Sequence, residues 1–441
     1  MTCIILAAGK GTRMKSKYPK VLHKVLDIPI INWVVETSKK LNPEKIIVIT
    51  GYKAELVEKI LPDDVVCVRQ EEQLGTGHAV KTAYNFIPDD EVLILNGDVP
   101  FINEKTINEF IKFREENGYQ AAVLSMVLKD PVHYGKIIHK KNKIEIKEFR
   151  DIVDEEKMIN EVNSGIYCFD GKFLKKALEN LKNNNDQNEF YLTDTLDMAE
   201  KSGAMVVEDN FQVLGINDRK ELIKMNQAIK NRINNELIEN GVTILDPENT
   251  WIGPNVKIGM DTVIYPFTYI TGNTEIGEDC IIGPMTRLHE STLQNNVIVQ
   301  RSEVEFSKVM RNVSIGPWSR LRKENVIEEN VKIGDFVELK KAHIGKNSKA
   351  QHLSYLGDAT LGENVNIGAG TITCNYDGKN KFKTNIGDEA FIGSNSSLVA
   401  PVNVGKSSLV GAGSVITEDV PDYSLALGRG RQINKKDRIK K

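Results

Sequence analysis

The sequence contains no apolar run approaching the ~20 residues that a helix needs to cross a bilayer. Its first residues, Met-Thr-Cys-Ile-Ile-Leu-Ala-Ala-Gly, lack the basic region and long apolar stretch of a secretory signal. Cysteine is scarce and scattered: Cys3, Cys67, Cys168, Cys280 and Cys374 are an odd number with no C-x-x-C pair. That spacing argues against a disulfide framework and against a zinc site, so a reducing, cytoplasmic setting is expected. An excess of charge is missing too. A net charge of −3 gives no reason to expect the concentrated basic surface that nucleic acid requires. The expectation is a soluble chain with no membrane and no nucleic-acid partner. Its 441 residues are enough for two or three domains at about 150 residues each.

Two periodicities divide the chain. Up to about residue 218, short apolar runs alternate with helical stretches. Cys3–Ala7, Lys45–Thr50, Val65–Arg69 and Glu91–Asn96 read as buried strands, and Asn32–Lys40, Tyr52–Ile60, Thr76–Phe86 and Asn103–Glu116 as the helices between them. This alternation predicts a mostly parallel α/β sheet covered on both faces, with ligands at the strand ends. From Asp218 to about Asn240 the sequence reads as one long charged helix, with Leu222, Met225, Ile229 and Ile233 at helical spacing. It is taken as the arm between domains.

From Ile252 the period becomes six. Ile252, Ile258, Ile264, Ile270, Ile276, Ile282 and Leu288 open the series, which resumes at Ile315, Leu321, Ile327, Ile333 and Leu339. It returns at Ile386, Ile392, Leu398, Val404, Val410 and Ile416. Gly often follows the aliphatic, and a small or β-branched residue (Val256, Thr262, Thr268, Thr274) stands four places after it. Such hexads predict a parallel β-helix with three hexads per coil, the aliphatic pointing inward and Gly permitting the corner. Unrelated hairpins would not keep eighteen aliphatics in register. The register slips by one between Leu339 and Ile344 and between Leu356 and Leu361, and a longer departure runs from Thr373 to Asn385. An insertion in a repeat array maps to a loop on one face, often the binding face.

Two groups of residues carry chemistry. Leu6–Met14, followed by Pro19-Lys20, supplies Gly9 and Gly11 for close backbone approach to phosphates, with Lys10, Arg13 and Lys20 as their charge partners. It is not a Walker A loop. Asp98, in Asn96-Gly97-Asp98-Val99-Pro100, suits either a turn cap or a Mg²⁺ ligand. Gln70 and Gln73–Gly77 can match the edge of a base or simply start a helix, and His78 reads as a packed helix residue. In the β-helix, His352 is the obvious base for a proton on an attacking amine. Arg322, Lys340, Tyr355, Asn366 and the inserted loop cluster in the same few coils.

Leu6–Met14, Pro19-Lys20, Gln73–Gly77 and Gly97–Pro100 resemble the sugar-phosphate nucleotidyltransferases. With the hexapeptide repeats, essentially the whole chain resembles the bacterial bifunctional N-acetylglucosamine-1-phosphate uridylyltransferase/glucosamine-1-phosphate N-acetyltransferase family. The fold this implies is a Rossmann-like nucleotidyltransferase domain (1–218), a linker helix (219–240) and a left-handed β-helix acetyltransferase domain with a basic tail (241–441).

The activity implied is acetyl-CoA-dependent N-acetylation of glucosamine 1-phosphate. Mg²⁺-dependent uridylyl transfer from UTP to N-acetylglucosamine 1-phosphate then follows, feeding peptidoglycan and lipopolysaccharide synthesis. By this resemblance Arg13 and Lys20 neutralise phosphate charge, while Asp98 and Asn217 hold Mg²⁺. Leu6, Ala7, Ala8 and Gly9 line the nucleotide, Gln70, Gly75 and Thr76 read uracil, and Gly135, Glu148 and Asn163 hold the sugar. His352 is the general base, and Arg322, Lys340, Tyr355 and Asn366 hold the acetyl acceptor. Ala369, Asn375, Tyr376, Ser394, Ala412 and Arg429 contact acetyl-CoA, and Cys374 is a bystander. A homotrimer with active sites between subunits is implied as well.

The chain departs from the family pattern at Asn96 (Tyr expected), at Lys136 (Arg expected), around Glu148 and in the neighbours of Arg429. Two other readings are a monofunctional nucleotidyltransferase with a structural, trimerising β-helix, and a glucose- or mannose-type enzyme with a regulatory one.

Overall fold

The computed structural model describes residues 1–129, 131, 134–148, 151–185 and 187–436. Phe149 and Arg150 beside Glu148, and the end of the basic tail (437–441), lie outside the described residues. The chain separates into two compact units, Met1–Asn226 and Gln227–Lys441.

The first unit is built on a nine-stranded sheet. Its central strand Thr2–Leu6 lies between Lys45–Thr50 and Glu91–Asn96, parallel to both. Cys3 and Ile5 enter one apolar cluster and Ile4 the other, so the strand is buried on both faces and reads as an unbroken apolar run. Pairing of Leu6 with Asn96 brings the loops after these two strands side by side. A crevice at such a point is where ligands of open α/β sheets bind.

The sequence pattern misses Glu161–Asp170, which runs antiparallel between Glu91–Asn96 and Ala121–Val127. Two expected helices are shorter. Tyr52–Ile60 is helical only over Ala54–Glu58, and Thr76–Phe86 breaks into Thr76–Thr82 and a 3-10 turn at Tyr84–Phe86. The charged helix runs Arg219–Glu239 across the boundary between units.

The second unit is a parallel β-helix of three sheets with eleven, ten and nine strands. A coil takes 18 residues where Ile264 meets Ile282, 16 where Leu288 meets Val304, and 17 where Leu339 meets Leu356. The interval from Leu288 to Ile315, irregular in sequence, is filled by Leu293, Val299, Val304 and Val309, all buried in the same column-like core. The long departure contains a coil of 25 residues, Leu361 pairing with Ile386, and its excess forms a loop closed by the Tyr376–Lys381 bridge. The predicted inward aliphatics are buried apart from Ile258, which packs partly exposed against the core.

Glycine has a different use from the one its position suggests. The corners turn mostly on non-glycine residues in the left-handed region, among them Asn296, Asn312, Asn330, Asn347 and Asn364. Asn tolerates that conformation, and here its amide also links successive coils: Asn312 donates to Asn330 at 3.2 Å and Asn330 to Asn347 at 3.1 Å. Most glycines after the aliphatics instead permit close stacking of backbones, Gly283 and Gly316 being in the positive-φ region themselves. A Cβ on Gly345 would fall onto the Gly362 carbonyl of the next coil.

Gly345→Ala is therefore expected to lower the thermal midpoint of the β-helix by several degrees, since forcing a methyl against backbone costs about 1–3 kcal/mol. An unchanged midpoint in a thermal melt contradicts the stacking role.

Candidate functional site

In the first unit, the loop after Thr2–Leu6 turns through Gly11 at φ 60°. A Cβ on Gly11 would stand 2.6 Å from Lys20 Cβ, so glycine here lets Lys20 pack over the loop. The Lys20 ammonium pairs with the Asp98 carboxylate and donates to Asn217 Oδ1 at 3.1 Å. Arg13 donates to the same Asn217 oxygen at 2.8 Å. Residues distant in sequence thus converge on one point.

Asn217 is fixed by its own N–H, which donates to Glu221 at 2.6 Å, and by Asp218, which caps the following helix. One carboxylate and one amide oxygen aimed at a common cation fit a hard divalent ion such as Mg²⁺. Among the described residues there is no group of three or more His, Cys, Asp or Glu able to hold a metal.

Two adjoining clefts share Asn96 and Asp98. The first is lined by Leu6, Ala7, Ala8, Gly9, Lys20, Gln70, Gly75 and Thr76. The second is lined by Arg13, Gly135, Glu148, Asn163 and Asn217. Gln70 is buried, donates to the Gly75 carbonyl at 3.1 Å and meets His78 Nδ1 at 3.0 Å. Gln73 donates to the Ala8 carbonyl at 2.9 Å and ties the segment to the glycine loop. His78 also rests against Phe190, the packing role expected of it.

In the second cleft, Asn163 accepts from the Gly165 N–H and donates to the Tyr167 hydroxyl, both at 2.8 Å. Asn96 fills the space over Gly165, where no Cβ could fit. Lys136 is buried and donates to the Ile159 carbonyl at 2.7 Å, away from the cleft lining. Burial pushes the Glu148 carboxyl up, and Asp151, Asp194 and Glu189 add to the effect. Asp194 is pushed up to about 6, by burial first and then by Asp151 and Asp197. Glu221, Asp151, Asp194 and Glu189 carry no motif, and the sequence pattern did not reveal them.

In the second unit the candidate residues occupy two corners of the coil. His352 ends the Lys349–His352 strand of one sheet, beside the corner residue Leu353. Ala369, Ser394 and Ala412 immediately precede the left-handed residues Gly370, Asn395 and Gly413 of the same corner, on successive coils. At ~4.8 Å per coil, the four residues mark a straight track of roughly 14 Å. Arg429 reaches this track, donating to the Ala412 carbonyl at 2.8 Å. Asn366 begins the Asn366–Ile367 strand leading to it. The same corner exposes large apolar side chains at Phe267, Met285, Trp318, Phe336 and Leu353, with Arg301 between Met285 and Trp318.

The other corner holds the cations. Arg322 and Lys340 stand one coil apart at the end of the second sheet, with Arg322 bonded to Glu338 at 3.1 Å. Lys381, from the inserted loop, lies against Lys340; that contact first, then burial and the nearby Arg322, hold the Lys340 ammonium below its usual range. Asn375 is buried and donates to Asp358 at 2.5 Å, while Tyr376 is exposed on the loop. Tyr355 starts the strand Tyr355–Gly357 that separates the two corners, a width of roughly 10 Å at ~3.3 Å per residue. Within one chain, then, His352 and the cation group do not share a corner. Lys381 and Asp335, which bonds His352 Nδ1 at 3.0 Å, are the neighbours that motif reading missed. Asp335 stands 17 residues before His352, one slipped coil, so counting coils would have found it.

Residues 3–161 match the model of the MobA-like NTP transferase domain. Residues 233–344 match the GMPPB C-terminal domain, and residues 383–418 the hexapeptide repeat of succinyl-transferase. Over its full length the chain is 56% identical to the bifunctional protein GlmU of Fervidobacterium nodosum, covering 100% of this chain and 97% of that one. It is 55% identical to that of Thermosipho africanus (99% and 96% covered) and 48% identical to that of Clostridioides difficile (99% and 97%). Among the described residues no helix is long and apolar enough to cross a membrane.

The raised Asp194 has a testable consequence. A carboxyl that holds its proton to about 6 when folded, against 3.8 otherwise, destabilises the fold as pH rises through that window. Asp194→Asn is expected to raise the thermal midpoint at pH ~8 and leave it nearly unchanged at pH ~2.5, where the carboxyl is protonated in both states. An equal shift at both pH values contradicts the burial argument.

Proposed function

The chain belongs to the bifunctional GlmU family, and from that premise we infer that it carries out two consecutive steps of UDP-N-acetylglucosamine synthesis, acetyl transfer and then uridylyl transfer. We assign uridylyl transfer to residues 1–218, acetyl transfer to residues 241–441, and the connecting arm to the helix of 219–240. The setting is cytoplasmic. The observation that carries the two-enzyme reading is the His352 corner, where an imidazole stands at the head of a straight track of small residues. A β-helix serving only as a scaffold has no need of that track, nor of a cation group one sheet-width away.

In acetyl transfer, the phosphate of glucosamine 1-phosphate lies against Arg322 and Lys340, with Tyr355 and Asn366 beside the sugar. Arg322 offers a planar fork and Lys340 a point charge. Lys340, held below its usual range by Lys381, gains most from a dianion placed between them. The extended arm of acetyl-CoA runs along Ala369, Ser394 and Ala412, with Arg429 at its far end and Asn375 and Tyr376 from the inserted loop against it. His352 takes a proton from the amine as its nitrogen bonds the thioester carbon; the C–S bond breaks and CoA leaves.

In uridylyl transfer, Gln70, Gly75 and Thr76 face the base and the Leu6–Gly9 backbone faces the nucleotide. Gly135, Glu148 and Asn163 hold N-acetylglucosamine 1-phosphate in the adjoining cleft. The sugar phosphate oxygen attacks the α-phosphorus of UTP and pyrophosphate leaves. Arg13 and Lys20 offset the charge that accumulates, since this chemistry depends on positioning and neutralisation. Asp98 and Asn217 would hold Mg²⁺, whose contribution when bound is to neutralise phosphate charge.

The active form we propose is a homotrimer. Two observations support it: the exposed apolar side chains at the His352 corner, and the separation of His352 from the cation group within one chain. Both are answered if the corner of one copy packs against a neighbour.

His352→Ala is expected to lower acetyl transfer about 10²–10⁴-fold while UTP-dependent pyrophosphate release persists. Unchanged acetylation removes His352 as the base. If the wild type acetylates nothing, the reading with a purely structural β-helix takes over. Chelation of divalent ions is expected to stop uridylyl transfer and spare acetyl transfer, and Asp98→Asn to raise the Mg²⁺ concentration needed for half-maximal uridylyl transfer. An unaltered Mg²⁺ dependence in Asp98→Asn removes Asp98 as a ligand.

A further inference from the structure

The contact between Asp335 and His352 goes beyond the assignment of a base. Asp335 ends the Lys332–Asp335 strand, and His352 ends the strand one coil further on, directly opposite it in the ladder. The register is held on both sides of the pair. Ile333 lies opposite Ala350 before it, and after it the Leu353 N–H donates to the Asp335 carbonyl at 3.0 Å. A Cβ on Gly334 would fall onto the Gln351 carbonyl, so glycine at that position allows the two coils to close. The side chains meet through a specific nitrogen: Asp335 Oδ1 lies 3.0 Å from His352 Nδ1.

A carboxylate can only accept, so this contact places the imidazole proton on Nδ1 and leaves the lone pair on Nε2. His343, also bonded to a carboxylate of the β-helix, has the opposite arrangement, with Nε2 committed to Glu328 at 2.7 Å. A histidine tied in that way does not present Nε2 as a base. The Asp335 and His352 side chains are 44% and 61% exposed in the chain, so their attraction adds little to stability. What the contact supplies is orientation and tautomer.

We propose that Asp335 is a positioning residue for acetyl transfer, holding His352 in the Nδ1–H tautomer with Nε2 directed at the amine of glucosamine 1-phosphate. The proton taken from the amine would then reside on Nε2, and the imidazolium so formed would be stabilised by the adjacent carboxylate until CoA leaves. This rests on the assignment of His352 as general base. Asp335 itself touches no substrate.

The test uses the full-length protein, with Asp335→Asn, Asp335→Glu and His352→Ala compared in both reactions. In Asp335→Asn the amide can turn its NH₂ toward Nδ1 and favour the wrong tautomer. Its kcat for acetylation is expected to fall about 10- to 100-fold, with KM for glucosamine 1-phosphate within about twofold. Asp335→Glu is expected to recover part of that loss, and uridylyl transfer to stay at the wild-type rate in both. In protein labelled with ¹⁵N-histidine, the His352 signal, identified by its absence in His352→Ala, is expected to report Nδ1–H in the wild type and a shift toward Nε2–H in Asp335→Asn.

Wild-type kcat and an unmoved tautomer in Asp335→Asn, with His352→Ala inactive, overturn the proposal and leave the base in place. Activity retained by His352→Ala overturns the base assignment itself. A fall in uridylyl transfer matching the loss in acetylation would mark Asp335 as merely structural and equally overturn the proposal.

Discussion

The β-helix depends on stacking of each inward aliphatic on its counterpart one coil away. Burying each Ile, Leu or Val contributes about 1.5–3 kcal/mol, and no coil can do so alone. The same stacking sets the backbone register, because a slip of one residue would turn the aliphatics outward. Everything functional in this unit follows from that register. It puts Asp335 opposite His352, lines Ala369, Ser394 and Ala412 up behind His352, and brings Arg322 over Lys340. Where the chain departs from it, through the long coil between Leu361 and Ile386, a loop emerges that carries Asn375, Tyr376 and Lys381.

A parallel register does the same in the first unit. Pairing of Thr2–Leu6 with Glu91–Asn96 delivers the glycine loop and Asp98 to one crevice. The start of the charged helix completes the group with Asn217. Here the governing forces are electrostatic. Arg13 and Lys20 are drawn to Asp98 and Asn217, so the group holds cations and oxygens in balance. Beside it, Glu148 and Asp194 are carboxyls that burial discourages from ionising. The crevice thus sets the cations Arg13 and Lys20 close to carboxyls that resist ionising.

Much of this was legible in the sequence because the signals were periodic or local. Strand–helix alternation gave the central strands to within a residue or so, and the six-residue period identified the β-helix and many of its inward side chains, though not Leu293, Val299, Val304, Val309, Ala350 or Ile367. Less legible were features that depend on distance in space. Glu161–Asp170 runs against its neighbours and has no pattern to announce it. The short coils around Val304 and Val309 broke the count of six. Most glycines predicted for corners turned out to serve coil stacking, since Asn adopts the corner conformation and bridges coils as well. Asp335 and Lys381 belong to no motif; Asp335 meets His352 through the slipped coil and Lys381 meets Lys340 through the inserted loop.

The central claim is that one polypeptide makes the nucleotide-sugar by acetylating first and uridylylating second. The direct measurement is UDP-sugar formation by the purified protein supplied with UTP, Mg²⁺ and either glucosamine 1-phosphate or N-acetylglucosamine 1-phosphate, with and without acetyl-CoA. The account predicts UDP-N-acetylglucosamine from glucosamine 1-phosphate only when acetyl-CoA is present, and from N-acetylglucosamine 1-phosphate without it. A UDP-sugar formed from glucosamine 1-phosphate at a comparable rate in the absence of acetyl-CoA, or none formed from the acetylated substrate, would contradict it.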